Sequence, residues 1–460
     1  MKISLNLLIL FIAHNINAQP EITSWLQNTT ETGSYYIAGN SLTIPNNILV
    51  NCQKVEYSAD YVYITTTGIP AYPTGPFQDG NPSQAADQNM IYKIPRNPQE
   101  NIGTPTSTTP GNIGVFINGV ALFDYRDGVA WNPQTNALCG GPGNPPCGGG
   151  GPGGPGGPPG MTTMDWNRDA IPAEMEGFDC AKGHPAMTNY HHHQNPSAFK
   201  LDINVVSDVC SLYDSDGLYT IDDKRHSPLL GYAYDGFPIY GAYGYANIDG
   251  SGEIVRLESG YSLRNITERT HHADGTDVED GPTTTDYFLG YFREDYEFIP
   301  SNQEHYLDEH NGRFCVTPEY PDGTYAYFCT VDENWNSAYP YVVGPTFYGV
   351  YANASVNFIS EPTTVYSSNS ETGLMDLKKF NISIFPNPSS DIIVIQVNDV
   401  LRKNIIIKLM DLSGKLIEEK QILKGQTIGF FDAQTLYDGV YLVEVISDTN
   451  RVTEQVIINK

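Results

Sequence analysis

Few stretches of this chain show the 3.6-residue period of a helix; short strand-like runs recur instead, some of them alternating apolar and polar positions with the two-residue period of a β-strand. The alternation is cleanest near the C-terminus. Runs at Ile382–Phe385, Ile392–Val397, Ile405–Met410, Leu416–Glu419, Thr427–Phe431, Val440–Val445 and Val452–Ile458 are separated by turn signals at Pro386-Asn387-Pro388, Ser413-Gly414 and Asp438-Gly439. Short strands at that spacing predict a small Ig-like β-sandwich over residues 380–460. Upstream, residues 19–360 predict strands at Tyr57–Thr66, Ile113–Ile117, Ala121–Tyr125, Ala233–Tyr240, Thr324–Thr330 and Tyr339–Val343, with Gly, Pro, Asn and Asp between them. The fold class is therefore mainly β, with long ordered loops and enough length for a sizeable core.

Three segments interrupt the pattern. Residues 1–18 carry one early cation, Lys2, an apolar run Ile3–Ala13 and a small residue at Ala18, the layout of a secretory signal peptide cleaved after Ala18. The run is well short of the ~20 residues of a spanning helix, and no other segment comes close, so no transmembrane helix is expected after cleavage. Residues 140–160 are almost entirely Gly and Pro and predict a flexible or polyproline-like surface loop. Thr363–Thr372, rich in Ser, Thr and Asn, predicts an exposed linker over residues 361–379.

Composition narrows the function. With 25 Lys+Arg against 53 Asp+Glu, the net charge is −28, which excludes the basic face that nucleic-acid binding needs and disfavours docking on anionic lipid. The 31 Tyr, 44 Gly and 32 Pro suit pleated surfaces and turns. All seven Cys lie upstream of the C-terminal strands, and an oxidising export route predicts disulfides among them. Cys315 and Cys329 flank a Pro321-Asp322-Gly323 turn and are expected to bridge a hairpin. Cys139 and Cys147 are expected to close the Pro/Gly loop, and Cys180 to pair with Cys210.

Four of the histidines fall within ten residues: His184, His191, His192 and His193. In an extended segment His191 and His193 share one face and His192 takes the other. Two imidazoles on one face begin a site for Zn or Cu, with His184 approaching from the preceding Gly-Pro turn and His310 from a distant loop. Asp235 and the pair Asp308/Glu309 are carboxylates beside these motifs; Asp235 and Asp308 are candidates to orient the ligand rings or act as a general base, and Asp235 reads equally as a turn residue before Gly236. Two other readings of the cluster stay open: histidines that only hydrogen-bond carboxylates and tyrosines, and acid–base chemistry without a metal. His271-His272 reads as a solvated loop. Asn247 to Glu258 and Asp214-Ser215-Asp216-Gly217 fit a calcium loop only superficially and read as turns. There is no serine-nucleophile elbow, P-loop, dinucleotide fingerprint or HExxH, so whether the protein is an enzyme stays open. A rival class is a non-catalytic glycan- or peptide-binding module, with tyrosine faces stacking on sugars.

Two parts of the chain resemble known families. Phe385-Pro386-Asn387-Pro388, the turn Leu409-Met410-Asp411-Leu412-Ser413-Gly414-Lys415, Asp438-Gly439-Val440-Tyr441 and the final Val456–Lys460 resemble the type A sorting domain of the Bacteroidetes type IX secretion system. That resemblance implies the type IX machinery as a partner and export across both membranes. It further implies removal of the domain, then release or attachment at the outer-membrane surface through cell-surface lipopolysaccharide. The body resembles YHYH-domain proteins over roughly residues 50–350. The resemblance is carried by Gly183-His184-Pro185, Tyr190-His191-His192-His193, Gly231–Gly241, Leu307–Phe314, Gly323–Phe328 and Pro340–Pro345. His192 stands where that family's name motif has Tyr. The resemblance implies a set of pocket residues rather than a reaction.

Overall fold

Runs rich in β-branched and aromatic residues fold as strands, and the two α-helices among the described residues are single turns, Pro20–Thr23 and Ala170–Ala173. The computed structural model describes residues 19–78, 83–141, 143–147, 164–198, 210, 213, 215–351, 354–367, 382–397, 405–412, 415–423, 426, 428–446 and 451–460. The expected signal peptide and most of the Gly/Pro stretch lie outside them. The chain forms two compact units, Met1–Asn369 and Ser370–Lys460. Among the described residues no helix is long and apolar enough to cross a membrane.

The first unit is built on an eight-stranded mixed sheet. In chain order its strands are β1 (Asn112–Phe116), β2 (Ala121–Phe123), β3 (Gly183–Ala186), β4 (Asn189–His192), β5 (Leu229–Ala233), β6 (Pro238–Tyr240), β7 (Gly312–Cys315) and β8 (Thr324–Phe328). Their order across the sheet is β3-β4-β2-β1-β5-β6-β8-β7, with β4–β2 and β6–β8 parallel and the other neighbours antiparallel. β5 is buried at every position, so it reads as a continuous apolar run instead of alternating. At Gly231 a side chain would meet the Val115 carbonyl at 2.4 Å, so only glycine lets β5 lie this close to β1. A five-stranded sheet of Ser355–Val356, Met90–Pro95, Tyr61–Thr66, Cys52–Tyr57 and Thr364–Tyr366 packs into the same core.

Several expectations need correction here. The last of those strands, Thr364–Tyr366, pairs with Cys52–Tyr57, so the body extends into the segment expected to be linker. The expected strand Tyr57–Thr66 is turned at Ser58, whose hydroxyl accepts the Asp60 and Tyr61 amides. Ala233–Tyr240 is likewise a hairpin, turned at Asp235-Gly236. Tyr339–Val343 is not a strand. Tyr341 has a left-handed backbone (φ 72°), and its buried hydroxyl donates to Asp169 at 2.6 Å.

The second unit carries all seven expected strands: β9 (Ile382–Phe385), β10 (Ile392–Val397), β11 (Ile405–Asp411), β12 (Leu416–Ile422), β13 (Ile428–Asp432), β14 (Gly439–Ile446) and β15 (Arg451–Ile458). They form sheets β9-β10-β13 and β12-β11-β14-β15. Alternate residues of both, among them Ile393, Ile395, Ile407, Leu409, Val443 and Val445, make one apolar core between the sheets.

Two of the three expected disulfides form, Cys139–Cys147 and Cys180–Cys210, while Cys52, Cys315 and Cys329 are buried thiols. The β7–β8 hairpin exists as expected, but its register sets Cys315 opposite Thr324 and Gly312 opposite Tyr327. Cys329 therefore lies beyond the far end of the hairpin, roughly 16 Å along the strand from the position facing Cys315 at ~3.3 Å per residue, too far for a bridge. Non-reducing peptide mapping of the folded protein is expected to link Cys139 to Cys147 and Cys180 to Cys210. Cys52, Cys315 and Cys329 are expected to alkylate only after unfolding; a Cys315–Cys329 peptide would contradict this register.

A buried imidazole cluster on the edge hairpin

The cluster rests on β3 and β4, the hairpin at one edge of the central sheet. Antiparallel pairing sets His184 directly opposite His191. The two-residue period then brings His193, just past β4, to the same face. Parallel pairing of β4 with β2, His191 against Ala121 and His192 against Leu122, fixes which face that is. On the opposite face Tyr190 and His192 pack over Gly183, where any side chain would meet the Tyr190 ring at 2.4 Å.

Three Nε2 atoms converge. His191 Nε2 is 3.0 Å from His193 Nε2, and His184 Nε2 is 3.3 Å from His193 Nε2. All three ring atoms lie within 4.8 Å of one another, in a setting that could hold a metal ion. The rings are buried, with Phe123 stacked on His191 at 3.7 Å and Phe178 edge-on to His184 at 4.7 Å. Two of the tautomers follow from the partners. His191 Nδ1–H donates to the Asn189 carbonyl at 2.9 Å, and His193 Nδ1–H donates to the Asp124 carbonyl at 2.6 Å. A carbonyl can only accept, so each neutral ring turns a bare Nε2 lone pair toward the other. Protonation does not relieve this, because burial holds the imidazoles neutral. It lowers His193 to about 4 despite the Asp124 carbonyl, and it lowers His184 and His191 well below the usual value, with neighbouring histidines adding to the shift.

His192 faces the other way, as the alternation predicts. Its Nδ1–H donates to the Lys182 carbonyl at 3.0 Å and its Nε2 accepts the Tyr72 hydroxyl at 2.7 Å, so both ring nitrogens are satisfied. Three expected site residues are elsewhere. His310 stays out of the cluster: its Nδ1 meets the Thr346 hydroxyl and carbonyl, and its ring packs on Tyr348. Asp235 accepts from Tyr327, Phe237 N–H and Gly349 N–H, while Asp308 accepts from Tyr325, His310 N–H and Gly312 N–H. Backbone carbonyls, not these carboxylates, hold the ring tautomers. The calcium-like segment Asn247–Gly250 is a hairpin turn between Tyr243–Tyr245 and Ile254–Arg256. His271 lies exposed beside Asp277.

One functional candidate lacks any motif in the sequence. Glu174 ends the single-turn helix Ala170–Ala173, and its Oε2 is 3.4 Å from His184 Nε2 and 3.9 Å from His193 Nε2. Nothing in its spacing from His184 marks it. The helix N-cap, Asp169, accepts the Ile171 amide and fixes where the helix points.

Two family models match the chain. The family model described as YHYH protein matches residues 91–340, which include the whole cluster. The model described as a secretion system C-terminal sorting domain matches residues 383–459, the second unit's strands. That domain marks a protein handled by the type IX secretion system and delivered outside the cell or to the outer-membrane surface. No curated protein matches the chain significantly.

Buried neutral imidazoles favour unfolding of the metal-free protein in acid. Below about pH 6.5 the unfolded chain binds protons at these rings before the folded chain does, down to about pH 4 at His193, so acid favours unfolding in that window. The unfolding free energy of the metal-free protein, and with it the urea midpoint, should fall from about pH 7 to about pH 5, the free energy by on the order of 1–2 kcal/mol per imidazole. An unchanged midpoint would show that the rings already carry protons when folded.

Proposed function

The chain belongs to the YHYH protein family, and on that premise we propose that its exported body binds one transition-metal ion, Zn or Cu, between His184, His191 and His193. The observation that carries this reading is the pair of bare nitrogens, His191 Nε2 and His193 Nε2, held 3.0 Å apart with no proton to share. Two lone pairs at that distance repel in the absence of a cation, and a metal ion turns both into bonds. Two nitrogens that ligate one ion at ~2.0–2.1 Å stand about 2.9–3.4 Å apart at ordinary ligand angles. The separations of 3.0 and 3.3 Å fit that range. Neutral imidazole suits Zn and Cu, and Nδ1 hydrogen bonds to carbonyls favour metal binding through Nε2.

A second reading, a glycan- or peptide-binding module, is favoured by one feature. An aromatic groove of about 410 Å³ is lined by Phe237, Phe314, Tyr325 and Tyr348, among others, and Phe314 is exposed. Elemental analysis of the purified protein separates the two. The metal reading expects about one equivalent of Zn or Cu per chain. His191→Ala and His193→Ala should each lower metal content at least about tenfold in folded protein, while His192→Ala should retain it. Metal-free wild type, or full retention in the first two variants, would shift the assignment to the aromatic groove.

Export is tested separately. A chain ending before residue 380 should accumulate in the periplasm, and its normal appearance at the surface or in the medium would refute dependence on the second unit.

A further inference from the structure

At the other edge of the central sheet, β7 and β8 carry an aromatic groove that shares no residue with the imidazole cluster. Three of the segments that carry the family resemblance meet in it, through Phe237, through Phe314, and through Gly323 with Tyr325. The rings are fixed before any ligand arrives. Tyr325 lies face to face with Tyr348 at 3.6 Å, and Phe237 stands edge-on to both, at 5.5 and 5.3 Å. The Tyr325 hydroxyl donates to Asp308, and the Tyr348 amide donates to the Tyr327 hydroxyl. Phe314, opposite Tyr325 in the hairpin register, is 61% exposed and rests against Gly323, where a side chain would meet its ring at 3.0 Å. It therefore offers an apolar face to solvent beside a cavity of about 410 Å³.

The surroundings select the occupant. A peptide that adds as a strand needs a row of unpaired backbone groups. The outer edge of β7 is closed on both sides of Phe314: Gly312 N–H donates to the Asp308 carboxylate, its carbonyl accepts the Asp308 amide, and Val316 N–H donates to the Ile248 carbonyl. A proline-rich peptide needs slots between rings, and the gap between Tyr325 and Tyr348 is filled by their own contact. An anionic ligand needs a free cation. Arg96, which lines the groove, is committed to Glu21, Gln19 and the Ser58 and Ala59 carbonyls, and the chain as a whole carries −28. Glu100, bonded to the Tyr348 hydroxyl, supplies an acceptor and repels anions. What remains is an exposed ring beside the uncharged hydrogen-bonding side chains of Asn97, Gln99 and Thr324. That pairing suits a pyranose, which has an apolar C–H face for a ring and hydroxyls that both donate and accept. We infer that the groove binds a neutral glycan, with one sugar stacked on Phe314 and its hydroxyls bonded to this polar rim. The inference rests on the groove of the second reading above and stands apart from the metal centre, since the two sites occupy opposite edges of one sheet.

The test titrates the full chain by calorimetry with cellotetraose, maltotetraose and mannotetraose. Trigalacturonate serves as the anionic probe and a proline-rich decapeptide as the peptide probe. At least one neutral tetraose should bind with a Kd below about 1 mM, and trigalacturonate and the peptide at least about tenfold more weakly. Phe314→Ala should weaken the bound tetraose at least about tenfold, whereas Phe314→Tyr, which keeps the ring, should stay within about threefold of wild type. Both change an exposed side chain, and their thermal transitions check the fold. His191→Ala should bind the sugar as wild type does. No tetraose binding up to about 10 mM, or equal binding by Phe314→Ala, would overturn the inference. Peptide binding that Phe314→Ala abolishes, without sugar binding, would refute the glycan and leave the groove as a binding site. No binding of any probe would remove the groove reading as well. Loss of sugar binding in His191→Ala would move the sugar to the triad and refute a separate site.

Discussion

The register of β3 against β4, and of β4 against β2, is the constraint on which the site depends. Side chains in a strand change faces at every residue, so a slip of one position would send His191 and His193 to the face that His192 now occupies. The opposite face holds the register. His192 is tied to Tyr72 and to the Lys182 carbonyl, and Tyr190 donates to Asp179 at 2.8 Å. Asp179 also gathers the amides of Gly75, Ala181 and Gly183, and the Cys180–Cys210 bridge anchors the chain beside it. The polar chemistry on one side of the hairpin is therefore positioned by hydrogen bonds on the other.

How much of this the sequence made legible varies with range. The facing of His191 and His193, with His192 opposed, follows from strand periodicity alone, because it is a property of adjacent residues. The seven C-terminal strands are legible for the same reason: each alternates over its own length between turn residues. Partners far apart in the chain are another matter. His310 and His184 look equally able to approach a His191–His193 pair, and only the pairing of β3 with β4 decides for His184. Cys315 and Cys329 flank a real hairpin, but its register separates them. Glu174 has no signal at all, since its place depends on how one turn of helix, capped by Asp169, leaves the sheet. The carbonyl of Asp124 acts through the backbone, which no side-chain motif can reveal.

The tyrosine content acquires a structural meaning. Buried hydroxyls donate to buried carboxyl groups at Tyr190–Asp179, Tyr327–Asp235, Tyr341–Asp169 and the partly buried Tyr325–Asp308. Asp235 and Asp308 look like site carboxylates in the sequence because they sit beside motif residues. In the fold all four aspartates are acceptors that tie one strand or loop to the next, each also holding one or more backbone amides. A polar group buried without a partner costs about 1–3 kcal/mol, so each pair fixes its surroundings in one arrangement.

This mode of cohesion has a consequence for a protein delivered outside the cell. Exposed ion pairs weaken as ionic strength rises, because mobile counter-ions screen them within about a Debye length. A tyrosine hydroxyl on an aspartate in the interior has no second formal charge to screen, and solvent ions do not reach it. With 53 acidic residues against 25 basic ones, more than half of its carboxylates have no basic residue to match them one to one. The tyrosine–aspartate contacts of its interior are ones that fresh water and brine leave equally strong.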